Sequence, residues 1–254
     1  MSQLDLALEA SISSRHLSFV ETGRAQPSRE MILHLSERLD IPLREQNILL
    51  LSAGYAAVFP ERPLDDPALS VAREAVEVVL TGHEPYPAIA VDRHWQLVAA
   101  NNAVAPLLTG ADPKLFEPPI NVLRLSLHPD GVAPRIANLA EWRGHVLARL
   151  RQQIDVSADP VLAALHDELA GYSAPRVEHR VDPRRPSQTD GEFDTVVVPI
   201  QLVSEHGTLA FFSTTTVFGT PIDVTLAELA IEAFFPANAA TAEILRRLTP
   251  DARG

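Results

Sequence analysis

The stretch SQLDLALEASISSRHLSFVETGRAQPS, residues 2–28, decides how the amino-terminal part of the chain reads. Ser2 is a side-chain acceptor placed ahead of a helix over 3–10, in which Leu6, Ala7 and Ala10 fall on one face at helical spacing. Ser13 can cap a second helix that runs to Glu21, with Leu17 and Val20 inward and Gly23 as its stop. Pro27 and Ser28 open a third helix over 29–39, whose inner side carries Ile32, Leu35 and Leu39. A fourth follows Ile41-Pro42 over 43–53 and ends at Gly54. The expected unit is an all-α domain over 1–55.

Beyond it, residues 56–67 crowd prolines among charged side chains, which no helix can run through, so this stretch reads as a linker. Residues 68–254 read as an α+β domain. A helix is expected over 68–80, and two short strands within 88–99 flank a turn at Asp92-Arg93. Helices are expected over 101–108, 139–154 and 160–170, then a polar loop over 173–191 with an edge strand near Val177. The runs TVVVPIQL (195–202) and TLAFFSTTTVF (208–218) are apolar and β-branched, and Ser204-Glu205-His206-Gly207 marks a turn between them. They form the clearest hairpin of the chain. A helix over 226–235 and a short one near the end complete the reading.

Composition narrows the chemistry. The chain has 254 residues and no cysteine, which excludes disulfides, thiolate zinc sites, iron–sulfur clusters and a cysteine nucleophile. The formal net charge of -12 excludes a protein that coats nucleic acid along its length, because phosphate binding needs clustered Lys and Arg. Any DNA contact must be local. No apolar run is long enough to span a bilayer, and the first residues lack the basic start and apolar middle of a secretory signal, so a cytoplasmic protein is expected. There is no Gly-x-Ser-x-Gly elbow, phosphate loop, HExxH or glycine-rich dinucleotide turn, and the nine histidines are scattered singly. Neither an enzyme nor a resident cofactor or metal is expected.

A short helix, a tight turn and a second helix with small polar residues outward can set that second helix into a DNA major groove. Ser14, Arg15, Ser18 and Phe19 share the face opposite Leu17 and Val20. Arg15 can read a guanine edge with two hydrogen bonds, Ser14 and Ser18 can bond either base type, and Phe19 can touch a thymine methyl. Gln3 and Ser13, at helix starts, suit phosphates, and Arg24 follows the second helix. A plain helical bundle with polar residues facing water satisfies the same periodicity.

The sequence from Ser2-Gln3 through Gly23-Arg24 to Pro27-Ser28 resembles the XRE, or phage-repressor-like, helix-turn-helix family, matching SQxxLAxxA, then xSxxxLSxxExG, then PS. Ser11 stands in the turn where that family usually has glycine. The resemblance implies a further, basic helix ahead of these four, which would lie before Met1. Residues 1–60 carry five arginines against seven acids. The expected amino-terminal domain is therefore a helix-turn-helix with its first helix missing, binding a double-stranded DNA operator weakly or not at all in this form, and as a homodimer.

Residues from Tyr86 onward resemble the ligand-binding domain of MmyB-like regulators, a PAS-like α+β fold. The carriers are residues 87–101, Asn121-Val122-Leu123 with Leu125, Trp142 with Arg149-Leu150-Arg151, and Asp159-Pro160. The resemblance implies a small apolar, fatty-acid-like ligand. Arg124, between Leu123 and Leu125, is the cation expected at the headgroup, because a guanidinium grips a carboxylate with two parallel bonds, a simple pair with a surface acid being the alternative. Asn101 and Asn121 are expected beside it. Leu108, Phe116, Leu127, Trp142 and Phe212 are expected along the apolar part, ordinary core packing being the alternative for each and also for Phe211. The combined expectation is a one-component transcription regulator that senses an apolar ligand. The alternative is a sensor or dimerisation protein that has lost DNA binding.

Overall fold

The computed structural model describes residues 2–10, 12–173 and 198–248. Ser11 and the segment expected to hold an edge strand near Val177 lie outside the described residues, as does the start of the expected hairpin before Val198. In chain order come α1 (Gln3–Glu9), α2 (Ser14–Glu21), α3 (Arg29–Arg38), α4 (Leu43–Ser52) and α5 (Ser70–Gly82). Strands β1 (Ala88–Val91) and β2 (Leu97–Ala100) precede α6 (Val122–Leu127), α7 (Leu139–Ser157) and α8 (Pro160–Gly171). Strands β3 (Ile200–Ser204) and β4 (Gly207–Val217), α9 (Val224–Ala227), β5 (Ala230–Pro236) and α10 (Ala239–Leu248) complete the order. The chain divides into two compact units, Met1–Ser70 with Phe218–Glu228, and Val71–Val217 with Leu229–Gly254.

The first unit is built on side-chain caps. The Ser2 hydroxyl accepts from the Asp5 N–H, while Asp5 accepts from the Ser2 hydroxyl and N–H, a reciprocal box that satisfies donors the helix cannot use. Those same bonds hold the Asp5 carboxyl below its usual range. Ser13 accepts from the His16 N–H at 3.1 Å and Ser28 from the Met31 N–H at 3.2 Å, so α2 and α3 start at the residues their sequence marks. Gly23 takes φ +69°, a backbone that residues with a Cβ reach only at a cost, and this turns the chain out of α2. Ala7, Ala10, Leu17, Ile32 and Leu50 are buried.

Two segments expected elsewhere are fastened to this unit. Asn47 accepts from the Val58 and Phe59 N–H groups and donates to the Phe59 carbonyl, which fixes part of 56–67. Phe218–Glu228, expected in the second domain, is held by Arg44, which forks to Glu228 at 2.7 Å and Glu61 at 2.5 Å, and by Arg62 on buried Asp223 at 2.8 Å. The two carboxylates drive the Arg44 pKa up.

The second unit is an antiparallel sheet of order β2-β1-β5-β4-β3, with helices α6, α7 and α8 contributing to its core. The helix expected over 226–235 is corrected here. Only α9 is helical, and residues 230–236 form β5, the central strand, paired with β1 on one side and β4 on the other. The run LAELAIEAFF carries apolar residues at both periods, so its periodicity does not decide. Pairing does, with β4 over Ala230–Pro236 and with β1 over Ala230–Ala233, because it satisfies ladder groups on both edges. The helix expected over 101–108 shrinks to a single tight turn at Ala105–Leu108, since Pro106 has no N–H to carry a longer helix. Conversely α6 was not expected, although Asn121 caps it by accepting from the Leu123 and Arg124 N–H groups. No helix among the described residues is long and apolar enough to cross a membrane.

Candidate ligand cavity and DNA-facing helix

Alternation along the strands sends Ile89 of β1, Ile200 and Leu202 of β3, Phe211 and Ser213 of β4, and Glu232 and Phe234 of β5 to one face of the sheet. Helices α6 and α7 bring Leu123, Leu125, Trp142 and Val146 to the same space. Together they line a largely apolar, partly open cavity of about 160 Å³. Polar groups gather at one place on its wall. Arg149 of α7 lies 2.6 Å from Glu232 Oε1, and its second nitrogen is 3.3 Å from the other oxygen. The same guanidinium donates to the Thr215 hydroxyl at 2.9 Å, and that hydroxyl donates to Glu232 at 2.7 Å. Glu232 is 3% exposed, so this is a carboxylate withdrawn from water on the inner face of a sheet. Burial of that kind is tolerated only with a partner and further hydrogen bonds, and here both are present.

Trp95 holds the other side of this polar group. The Arg149 guanidinium sits 4.5 Å from its ring centroid, in cation–π range. The ring is fixed by its indole N–H donating to Gln153 at 2.9 Å, and its backbone takes φ +64°. A bulky residue in that region is strained, and the strain persists because Asp92 accepts from the His94 and Gln96 N–H groups and locks the turn.

The structure distributes the expected ligand residues unevenly. Leu108 and Trp142 line the cavity. Phe116 packs in the apolar cluster around Leu209 and Phe211, and Leu127 in the cluster around Leu150, neither of them in the cavity lining. Phe212 stacks on Phe235 at 5.4 Å on the opposite face from Phe211, because neighbours on a strand alternate. Asn101 is buried with its amide donating to the Leu80 and Tyr86 carbonyls and its oxygen accepting from the Ala88 N–H. Asn121 caps α6 and donates to the His94 carbonyl. Both amides are spent on the backbone.

Arg124 lies outside the cavity lining. It pairs with Glu168 of α8 through two bonds of 2.7 and 2.8 Å, and the Tyr172 hydroxyl donates to the same carboxylate at 2.5 Å. The Arg124 bond holds the Glu168 carboxyl below its usual range, while burial and that carboxylate push the Tyr172 pKa up. The cation among the described residues of the cavity lining is Arg149, which nothing local in the sequence distinguishes from Arg124. Arg149 and Glu232 are 83 positions apart, and no spacing rule links them.

On the first unit, Ser14 and Arg15 are exposed on α2, with Ser18 and Phe19 half-exposed beside them and Leu17 buried beneath. The Arg15 guanidinium lies 5.4 Å from the Phe19 ring centroid. Gln3 donates to the Glu21 carboxylate, linking α1 to α2, and Ser13 is engaged in its cap. Arg24 is exposed just past α2. Among the described residues no group of three His, Asp or Glu side chains is placed to hold a metal ion.

These two arrangements are those of a regulator with a DNA-binding module and a ligand-binding domain. Residues 72–248 match the MmyB-like transcription regulator ligand binding domain, and residues 1–46 match the helix-turn-helix family. The chain belongs to the MmyB-like transcription regulators and carries an XRE-type helix-turn-helix at its amino-terminal end. Comparison with curated proteins gave no match. Its domains are those of a DNA-binding transcription regulator with a ligand-binding domain.

Proposed function

We propose that this regulator senses a small apolar ligand of fatty-acid-like build, an apolar chain with one polar end, held in the cavity between the sheet and α6–α7. The observation that carries the reading is the cavity itself, a largely apolar lining in which Arg149 and Glu232 are paired, with Thr215 bonded to both. An engineered apolar cavity of about 150 Å³ takes benzene, so about 160 Å³ has room for a ring or a chain of roughly six carbons. Native mass spectrometry of the purified protein, followed by calorimetry with a homologous chain series, tests it. A protein that purifies empty and binds no member of the series overturns the reading.

In the same proposal α2 enters the major groove of double-stranded DNA. Ser14, Arg15, Ser18 and Phe19 meet base edges, and Gln3, Ser13 and Arg24 meet phosphates, Gln3 by exchanging its Glu21 partner for a phosphate oxygen. One short recognition helix supplies few contacts, which supports binding as a homodimer to a palindromic site. Gel-shift titration against a palindrome and its half-site distinguishes dimeric from monomeric binding.

A further inference from the structure

We infer that the cavity selects ligands whose polar end is uncharged, such as alcohols and amides, and rejects carboxylates. The inference rests on the ligand reading above and names the ligand class it leaves open. Among the described residues Arg149 is the one arginine or lysine in the cavity lining, and its fork is already filled by Glu232. The two charges cancel, so the polar end presents no net attraction for an anion.

A ligand carboxylate brought to this point meets the Glu232 carboxylate, which is withdrawn from water and faces the cavity from the centre of β5. Like charges sharing a site of low polarity cannot both stay ionised without cost. The incoming carboxylate also loses its water shell, and the shared guanidinium cannot repay both. The third titratable side chain among the described lining residues is His145 of α7, an exposed imidazole stacked 5.7 Å from Trp142.

An uncharged polar end meets none of these obstacles. A hydroxyl or amide N–H can donate to Glu232, and its oxygen can accept from Arg149, so the pair keeps its partner and gains a bond.

The experiment is calorimetry of the full chain at pH 7.5 with 1-hexanol, hexanamide and hexanoate, on wild type and on Glu232→Gln. Hexanol and hexanamide are expected to bind wild type at least tenfold more tightly than hexanoate. In Glu232→Gln the carboxylate is gone and Arg149 is free to pair, so hexanoate is expected to gain at least tenfold while hexanol changes little. Hexanoate binding wild type as tightly as hexanol overturns the inference and leaves the ligand reading standing. If none of the three binds wild type, the cavity reading falls and the inference with it. The wild-type comparison alone decides the matter should the variant fail to fold.

Discussion

Arg149 of α7 and Glu232 of β5 form an ion pair of 2.6 Å inside an otherwise apolar wall, with the carboxylate almost wholly buried and the guanidinium about a third exposed. The pair ties the long helix to the central strand, so its loss is felt by the fold as well as by the cavity. Arg149→Ala leaves a buried carboxylate with only Thr215, which is expected to cost about 3 to 5 kcal/mol. Glu232→Gln keeps a hydrogen-bonding partner for both neighbours and is expected to cost distinctly less. Urea unfolding of the two variants measures the difference. Equal losses would show that the carboxylate is not the group the pair exists to neutralise.

The Arg124 pair behaves differently, because both partners are more than a third exposed and lie away from the cavity. Arg124→Ala is expected to leave ligand affinity unchanged within twofold. Its effect is on the pH dependence of stability. The Glu168 carboxyl is held below its usual range, so the stability it contributes is present above the unfolded pKa, near 4.5, and is lost as pH falls through the folded value. In Arg124→Ala that contribution shrinks, and the acid-unfolding midpoint is expected to move upward. A changed ligand affinity in this variant would return Arg124 to the site.

How much of this was legible in the sequence follows from where each signal resides. The caps Ser2, Ser13 and Ser28 and the stop at Gly23 are local, and they place α1 to α3 to within a residue. The β3–β4 hairpin is also local. The strand β5 is not, since its identity depends on two partners distant in sequence, and a central strand lacks the clean alternation that marks a half-exposed one. The cavity cation was missed for the same reason. Arg124 and Arg149 both sit in apolar helical surroundings, and only the fold shows that one faces Glu168 outside and the other Glu232 inside. Phe211 and Phe212 make the point within one strand, because the hairpin was legible while the face each ring takes depends on register.

On α2, Arg15 is exposed with its guanidinium over the Phe19 ring. Arg15→Ala is expected to cost about 1 to 3 kcal/mol of operator binding and to relax specificity at one base pair per half-site. Gel-shift titration against operators substituted at each position gives the profile. A loss uniform over all sequences would assign Arg15 to a phosphate instead.

The last prediction concerns the size of the cavity. Each methylene moved from water into the cavity contributes about 0.8 kcal/mol, so affinity for straight-chain alcohols is expected to climb from butanol and to level off near six carbons, where the space is full. Val104 lines this space and is itself only half-buried, so a larger side chain there has the cavity to grow into rather than packed neighbours to displace. Val104→Phe is therefore expected to fold, to be no less stable than wild type by thermal unfolding, and to shorten the optimal chain by two or three carbons. The shift should be in length and not in headgroup preference, since Arg149 and Glu232 are untouched. Calorimetry from butanol to decanol on both proteins reads it directly. An optimum unmoved by the added ring would place the ligand somewhere other than this cavity.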